Sequence, residues 1–176
     1  MANKTRRTRG RQLPQSAELQ VWREFIEACE ALRSEVASRL LAETALSAGD
    51  YVVLLALSEA PGERLRSSQL AEAVAWERSR LSHHLGRMER RGLIRREECL
   101  ADSRGAEVVL TADGAAAFHR ATVPHLRAVR ELFVDAFTPD QLDTIASIAS
   151  TLRAHLRSQT EHDPGDLIRS GEPHRA

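Results

Sequence analysis

Residues 64–114 decide the fold: RLRSSQLAEAVAWERSRLSHHLGRMERRGLIRREECLADSRGAEVVLTADG. Ser67 or Ser68 caps a short helix that turns Leu70, Ala71 and Val74 inward. A second helix runs from about Glu77 to Arg91, with Leu81, Leu85 and Met88 on one stripe. Gly92 stands just past its end, where a positive φ costs glycine little. The period then changes. Leu93-Ile94 opens a strand that continues through polar residues 95–98, Ala101 to Gly105 forms a loop, and Val108-Val109-Leu110 returns as the second strand. Short helix, turn, basic helix and two-stranded hairpin is the order of a winged helix-turn-helix, a shape that lays one helix in a DNA major groove.

Outward from this centre the chain is helical. Ala17 to Ala42 holds neither Gly nor Pro, and Trp22, Phe25, Ile26, Cys29, Leu32, Val36 and Leu40 recur at spacings of three and four. Ser47 with Asp50 three residues on resembles a capping box that opens a second helix, through Leu57. Ala60-Pro61-Gly62 reads as a turn. Beyond the hairpin, Thr111 caps a long helix in which Pro124 should cause a bend or break. Thr138-Pro139-Asp140-Gln141 starts a last helix, striped by Leu142, Ile145, Ile148, Leu152 and Leu156. The expected class is mainly α with a small β-wing. The divisions are a basic disordered arm over 1–15, a dimerisation helix over 16–44, a winged helix-turn-helix DNA-binding domain over 45–110, C-terminal dimerisation helices over 111–157 and a flexible tail over 158–176. The long apolar stripes at both ends lack an evident partner in so small a core, which predicts a homodimer.

Composition narrows the function. The formal net charge is zero, but its distribution is uneven. Residues 1–11 carry Lys4, Arg6, Arg7, Arg9 and Arg11 and no acid, and residues 76–105 carry eight arginines against five acids. Local sign governs attraction to phosphate. No apolar run reaches the roughly 18 residues of a membrane span, and no apolar leader follows Met1. With only Cys29 and Cys99 as cysteines, the expected location is the cytoplasm. No Gly-rich phosphate loop, nucleophile elbow or paired carboxylates point to an enzyme, and no cofactor is expected. His83 and His84 are adjacent and diverge on a helix, and His119 and His125 are six apart, so no metal site is expected either.

The candidate DNA-reading residues lie on the second helix of the motif. With Leu81, Leu85 and Met88 inward, Arg78, Ser79, Ser82, His83 and Arg87 fall on the other side and Arg80 flanks them. Arginine can contact guanine in bidentate fashion, and serine and histidine make shorter contacts. At the hairpin tip, Asp102-Ser103-Arg104-Gly105 offers an arginine suited to a narrow minor groove. Arg95 and Arg96 are placed for phosphates. A plain charged surface helix and an ordinary turn are the blander readings of each piece, and it is their succession that favours DNA.

The run from Ser68 to Gly114 resembles the MarR family of bacterial transcription regulators. The pattern L-x-x-x-G-L-I-x-R runs loosely over Leu85 to Arg95, and D-x-R-x-x-x-V-x-L-T is met by Asp102, Arg104, Val108, Leu110 and Thr111. The resemblance spans roughly residues 17–157. It implies a homodimer that binds a pseudo-palindromic double-stranded DNA operator, usually as a repressor, and is released by a small ligand or an oxidant. It also implies a crevice for an aromatic or acidic effector, which Trp22, Arg23, Phe25, Tyr51, His119 and Arg120 could line; core and rim packing is the plainer role for each. Val52 stands where members that bind urate-like ligands tend to carry aspartate. A thiol trigger is the alternative. Cys29 lies on an apolar stripe, however, Cys99 sits beside Glu97 and Glu98, and the tyrosines of the family's peroxide sensors are represented here by Tyr51 alone. A winged-helix adaptor that leaves DNA alone would carry acids, not Arg78, Arg80, Arg87 and Arg104, on its reading face.

Overall fold

A computed structural model describes residues 13–98 and 106–160. The chain divides into two compact units, Met1–Leu132 and Phe133–Ala176.

In the first unit, α1 (Ser16–Thr44) begins at Gln15, whose amide donates to the Glu18 carboxylate at 2.9 Å. It ends where Ala45 turns left-handed, φ 59°, and returns its N–H to the Leu41 carbonyl. α2 (Ala48–Ser58) opens with the anticipated capping box: the Asp50 amide donates to Ser47 Oγ, and the Ser47 amide donates to Asp50 Oδ2 at 2.9 Å. A single 3₁₀ turn, Pro61–Glu63, leads into β1 (Arg64–Arg66), which is followed by α3 (Ser67–Ala73) and α4 (Arg78–Arg90). Next come β2 (Ile94–Glu98), β3 (Ala106–Leu110) and α5 (Ala112–Leu132).

The wing is three-stranded, not two-stranded. β3 lies in the middle, pairing antiparallel with β2 (Ile94 opposite Leu110) and with β1 (Leu65 opposite Val108). The three residues of β1 are too few to show an alternating pattern, and their strand character comes from β3. Neither Ser67 nor Ser68 is the cap of α3. Arg66 holds that position with its amide on Gln69 Oε1, while the Ser67 hydroxyl donates to the Ala106 carbonyl at 3.0 Å and so ties α3 to β3.

Pro124 does not break α5, which runs continuously from Ala112 to Leu132. Proline removes the donor for the Arg120 carbonyl; Arg120 is exposed, so water can replace it. The core joins α1, α2, α3, α4, the sheet and α5 through Leu40, Leu54, Leu57, Leu70, Leu81, Leu85, Met88, Val108 and Ala121, all at most 2% exposed. The ion pairs Arg39–Glu131 and Arg127–Glu43 set α1 antiparallel to α5.

In the second unit, a 3₁₀ turn (Val134–Ala136) precedes α6 (Pro139–Thr160). The Thr138 amide donates to Gln141 Oε1 and the Gln141 amide to Thr138 Oγ1, as the start signal implied. Helix continues through residues 158–160, at the start of the stretch expected to be a flexible tail; residues 161–176 lie outside the described residues.

Candidate nucleic-acid interface

Two local devices aim α4. At its start, the chain leaves α3 through Val74, Ala75 and Trp76. Ala75 is left-handed, φ 53°, and the Trp76 amide returns to the Ala71 carbonyl. At its end, Gly92 is left-handed, φ 72°; its N–H bonds to the Glu89 carbonyl and that of Leu93 to the Met88 carbonyl. This 5→2 and 6→1 pair is a Schellman motif, and it is why glycine occupies position 92. The exit is fastened to the wing and α5. The Thr111 hydroxyl donates to the Gly92 carbonyl at 2.6 Å and accepts from the Gly114 amide at 3.0 Å.

Between these ends, Leu81, Leu85 and Met88 are buried, and Arg78, Ser79, Arg80, Ser82, His83 and Arg87 are all exposed. Two of these arginines are held in place. The Arg80 guanidinium lies 4.5 Å from the centroid of the Trp76 ring, and Arg87 donates to His84 Nδ1 at 2.8 Å.

On the wing, Arg95 and Arg96 are exposed but engaged. Arg95 Nε is 2.6 Å from Glu97 Oε1, and that guanidinium holds the Glu97 carboxyl below its usual value. Arg96 donates to the Ser82 carbonyl at 2.9 Å and pairs with Glu89. Such exposed pairs contribute little, so an incoming phosphate can replace the carboxylate. Arg104, Cys99 and residues 1–11 lie outside the described residues.

Beneath α4 lies a polar cluster that sequence reasoning missed. Asp50 is 2% exposed. Its Oδ2 accepts from Arg91 at 2.7 Å, its Oδ1 lies 3.0 Å from His84 Nε2, and Arg91 also donates to the Ala45 carbonyl. The His84–Asp50 approach is short but off the line of a good hydrogen bond. Burial works to raise the Asp50 carboxyl, but Arg91 and Ser47 together outweigh it and leave the group below its ordinary value. His84 is pushed down, chiefly by burial. A signal was present: 81, 84, 85 and 88 form one helical stripe, so His84 falls among the buried leucines.

The candidate effector residues are not gathered within one chain. Tyr51 is buried, 5.3 Å ring to ring from Phe118 and 4.2 Å from His125, whereas His119 and Arg120 are exposed. Trp22, Arg23 and Phe25 are exposed near the start of α1, about 30 Å along the helix from Glu43, the residue paired with Arg127. α1 outruns α5 at that end, which is why Trp22 and Tyr51 do not meet. Cys29 is half-buried. Among the described residues no cluster of three or more potential metal ligands occurs, and no single helix is long and apolar enough to cross a membrane.

A family model described as MarR family matches residues 46–105. A curated relative, the transcriptional regulator HosA of Escherichia coli, is 41% identical over 69 residues, 39% of this chain and 50% of that protein. The match thus spans half the length of that relative. Two solved structures from Streptomyces coelicolor align over most of the chain. AbsC, a MarR family transcriptional regulator, is 34% identical, with 84% of this chain and 99% of that one covered and a TM-score of 0.77. Sco3205, a MarR family transcriptional regulator solved in complex with DNA, is 31% identical, with 92% and 97% covered and a TM-score of 0.79. With two relatives above 30% identity matched over nearly their whole length, the chain belongs to the MarR family of transcriptional regulators.

Proposed function

We propose that the protein is a homodimeric repressor that binds a pseudo-palindromic operator with α4 in the major groove and lets go when a small aromatic or acidic ligand binds. The observation that carries this reading is the face of α4: Arg78, Ser79, Arg80, Ser82, His83 and Arg87 are exposed opposite a sealed apolar stripe. That Sco3205 was solved in complex with DNA supports DNA as the partner. Arg104, which falls between β2 and β3 in the sequence, would enter the minor groove, and Arg95 and Arg96 would exchange their carboxylates for phosphates.

The dimer reading rests on apolar surface. Leu19, Val21, Trp22 and Phe25 are exposed on α1, as are Ile148, Leu152 and Leu156 on α6. Surface of this kind repeated along two long helices suits a second copy of the chain. Occupying a promoter is enough to block it, which favours repression over activation. A ligand with different affinities for two arrangements of the dimer would act by favouring one separation of the two reading helices over another.

Selection of bound duplexes from a random pool tests the proposal. An inverted repeat with half-sites about one helical turn apart is expected. Enrichment of no motif, with weak binding lost at moderate salt, would overturn it.

A further inference from the structure

The cluster beneath α4 joins a buried group to the reading face. Arginine only donates, so the 2.8 Å contact from Arg87 makes His84 Nδ1 an acceptor and places the imidazole proton on Nε2, toward Asp50. The ring is confined. Trp76 meets it edge-on with centroids 5.2 Å apart, and a Cβ on Gly49 would come within 2.9 Å of His84 Cε1. Trp76 also carries Arg80 on its face. One buried imidazole and one indole thus hold two of the exposed arginines of α4. Arg87 uses one of its five donors on His84 and keeps the others for a base or a phosphate.

Resting on the DNA-binding reading above, we propose that His84 is a positioning residue for Arg87, and that taking up one proton at Nδ1 releases Arg87 and lowers operator specificity at acid pH. Protonation turns the acceptor into a donor and sets an imidazolium against a guanidinium, so the contact cannot persist. Among the described residues, the charged groups facing His84 are Asp50 on α2 and Arg80 and Arg87 on α4. Asp50 favours the imidazolium, but its other oxygen is already engaged by Arg91. Burial, then Arg87 and Arg80, oppose it, so the folded ring titrates below its ordinary value. The neutral ring therefore prevails near neutrality, and the contact is lost as the pH falls through that lower value.

The test uses the full chain, the duplex obtained by selection and a random duplex as reference. The ratio of the two affinities is read along a pH series from about pH 7.5 downward, to the acid edge of folding. A general gain of positive charge on acidification strengthens binding to both duplexes, and the ratio largely cancels that effect. Wild type should lose about threefold to tenfold in the ratio once the ring is protonated, the worth of one such hydrogen bond, and a wild-type ratio that stays flat down to the acid edge of folding overturns the proposal. His84→Asn keeps an acceptor near the Nδ1 position but does not titrate, and its ratio should stay flat. Arg87→Ala, exposed and safe for folding, should start low and also stay flat. An acid loss in His84→Asn or Arg87→Ala equal to that of wild type overturns the proposal. A nitrogen-15 spectrum of the wild-type imidazole supplies a readout free of DNA: the Nε2–H tautomer is expected, and the Nδ1–H tautomer overturns the assignment whatever the binding results. Failure to bind any duplex refutes the DNA-binding reading, and the tautomer still decides the His84–Arg87 contact.

Discussion

Replacing Gly49 by alanine should destabilise the protein, although Gly→Ala inside a helix usually does the reverse. Gly49 is the second residue of α2, and the added methyl gains at most about 1 kcal/mol of helix preference. Against this, the new Cβ would lie 2.9 Å from His84 Cε1 and 3.0 Å from the far edge of Trp76. His84 is only 8% exposed and held by Asp50 and Arg87, so neither ring can swing aside freely. Overpacking of this kind costs about 1–3 kcal/mol, which outweighs the gain and leaves a net loss of about 1–2 kcal/mol. Gly86 is the internal control. It lies within α4, and a Cβ there would find only the tips of Arg96 and Arg90, at 3.8 and 3.9 Å, so Gly86→Ala should gain about 0.5–1 kcal/mol. Thermal unfolding at one protein concentration reads both, so that the midpoint of the proposed dimer is not shifted by concentration. At about 2–4 °C per kcal/mol, Gly49→Ala should melt lower by several degrees and Gly86→Ala higher by a few. A Gly49→Ala protein as stable as wild type would show that the rings do not pack against α2 as described.

Four further outcomes follow from named residues. Asp50→Ala strips the carboxylate from Arg91, His84 and the Ser47 box and should cost about 3–4 kcal/mol in urea unfolding, toward the low end of buried pairs because Arg91 is 44% exposed; a loss under about 1 kcal/mol would contradict the cluster. Since the folded Asp50 carboxyl lies below its ordinary value, its stabilisation is present above that value and fades as the pH falls through the lower folded one, so Asp50→Asn should flatten the acid limb of stability against pH. Gly114→Ala would drive a Cβ into the Leu93 backbone carbonyl, which cannot move without breaking the Thr111 fastening; a loss of about 2–4 kcal/mol is expected, and a stability equal to wild type would refute the close approach. If the proposed dimer forms through the apolar faces of α1 and α6, Phe25→Glu combined with Ile148→Glu should shift sedimentation from dimer toward monomer while circular dichroism stays helical; a wild-type chain that sediments as a monomer, or a variant that stays dimeric, would refute that interface.

The residues that were legible in the sequence are those whose reasons are local. Ser47 with Asp50, Thr138 with Gln141, and Gly92 after α4 each act within about one turn of backbone, so spacing alone exposes them. The exposed face of α4 is legible for the same reason, since a period of 3.6 separates Arg78 and Arg87 from Leu81 and Leu85. β1 was not legible, because three residues become a strand only when β3 supplies the hydrogen bonds. Nor could the helix cap of Asp50 reveal its second role: Arg91 is 41 residues away, and the two meet only because α2 and the end of α4 pack against one core. The sequence by itself determined the winged helix-turn-helix, the helices around it and the basic exposed face of α4. Tertiary packing alone decided that His84 and Arg91 would both meet the buried Asp50 and that Trp22 and Tyr51 would not meet. Such pairings depend on where distant segments cross, and neither composition nor periodicity carries that information.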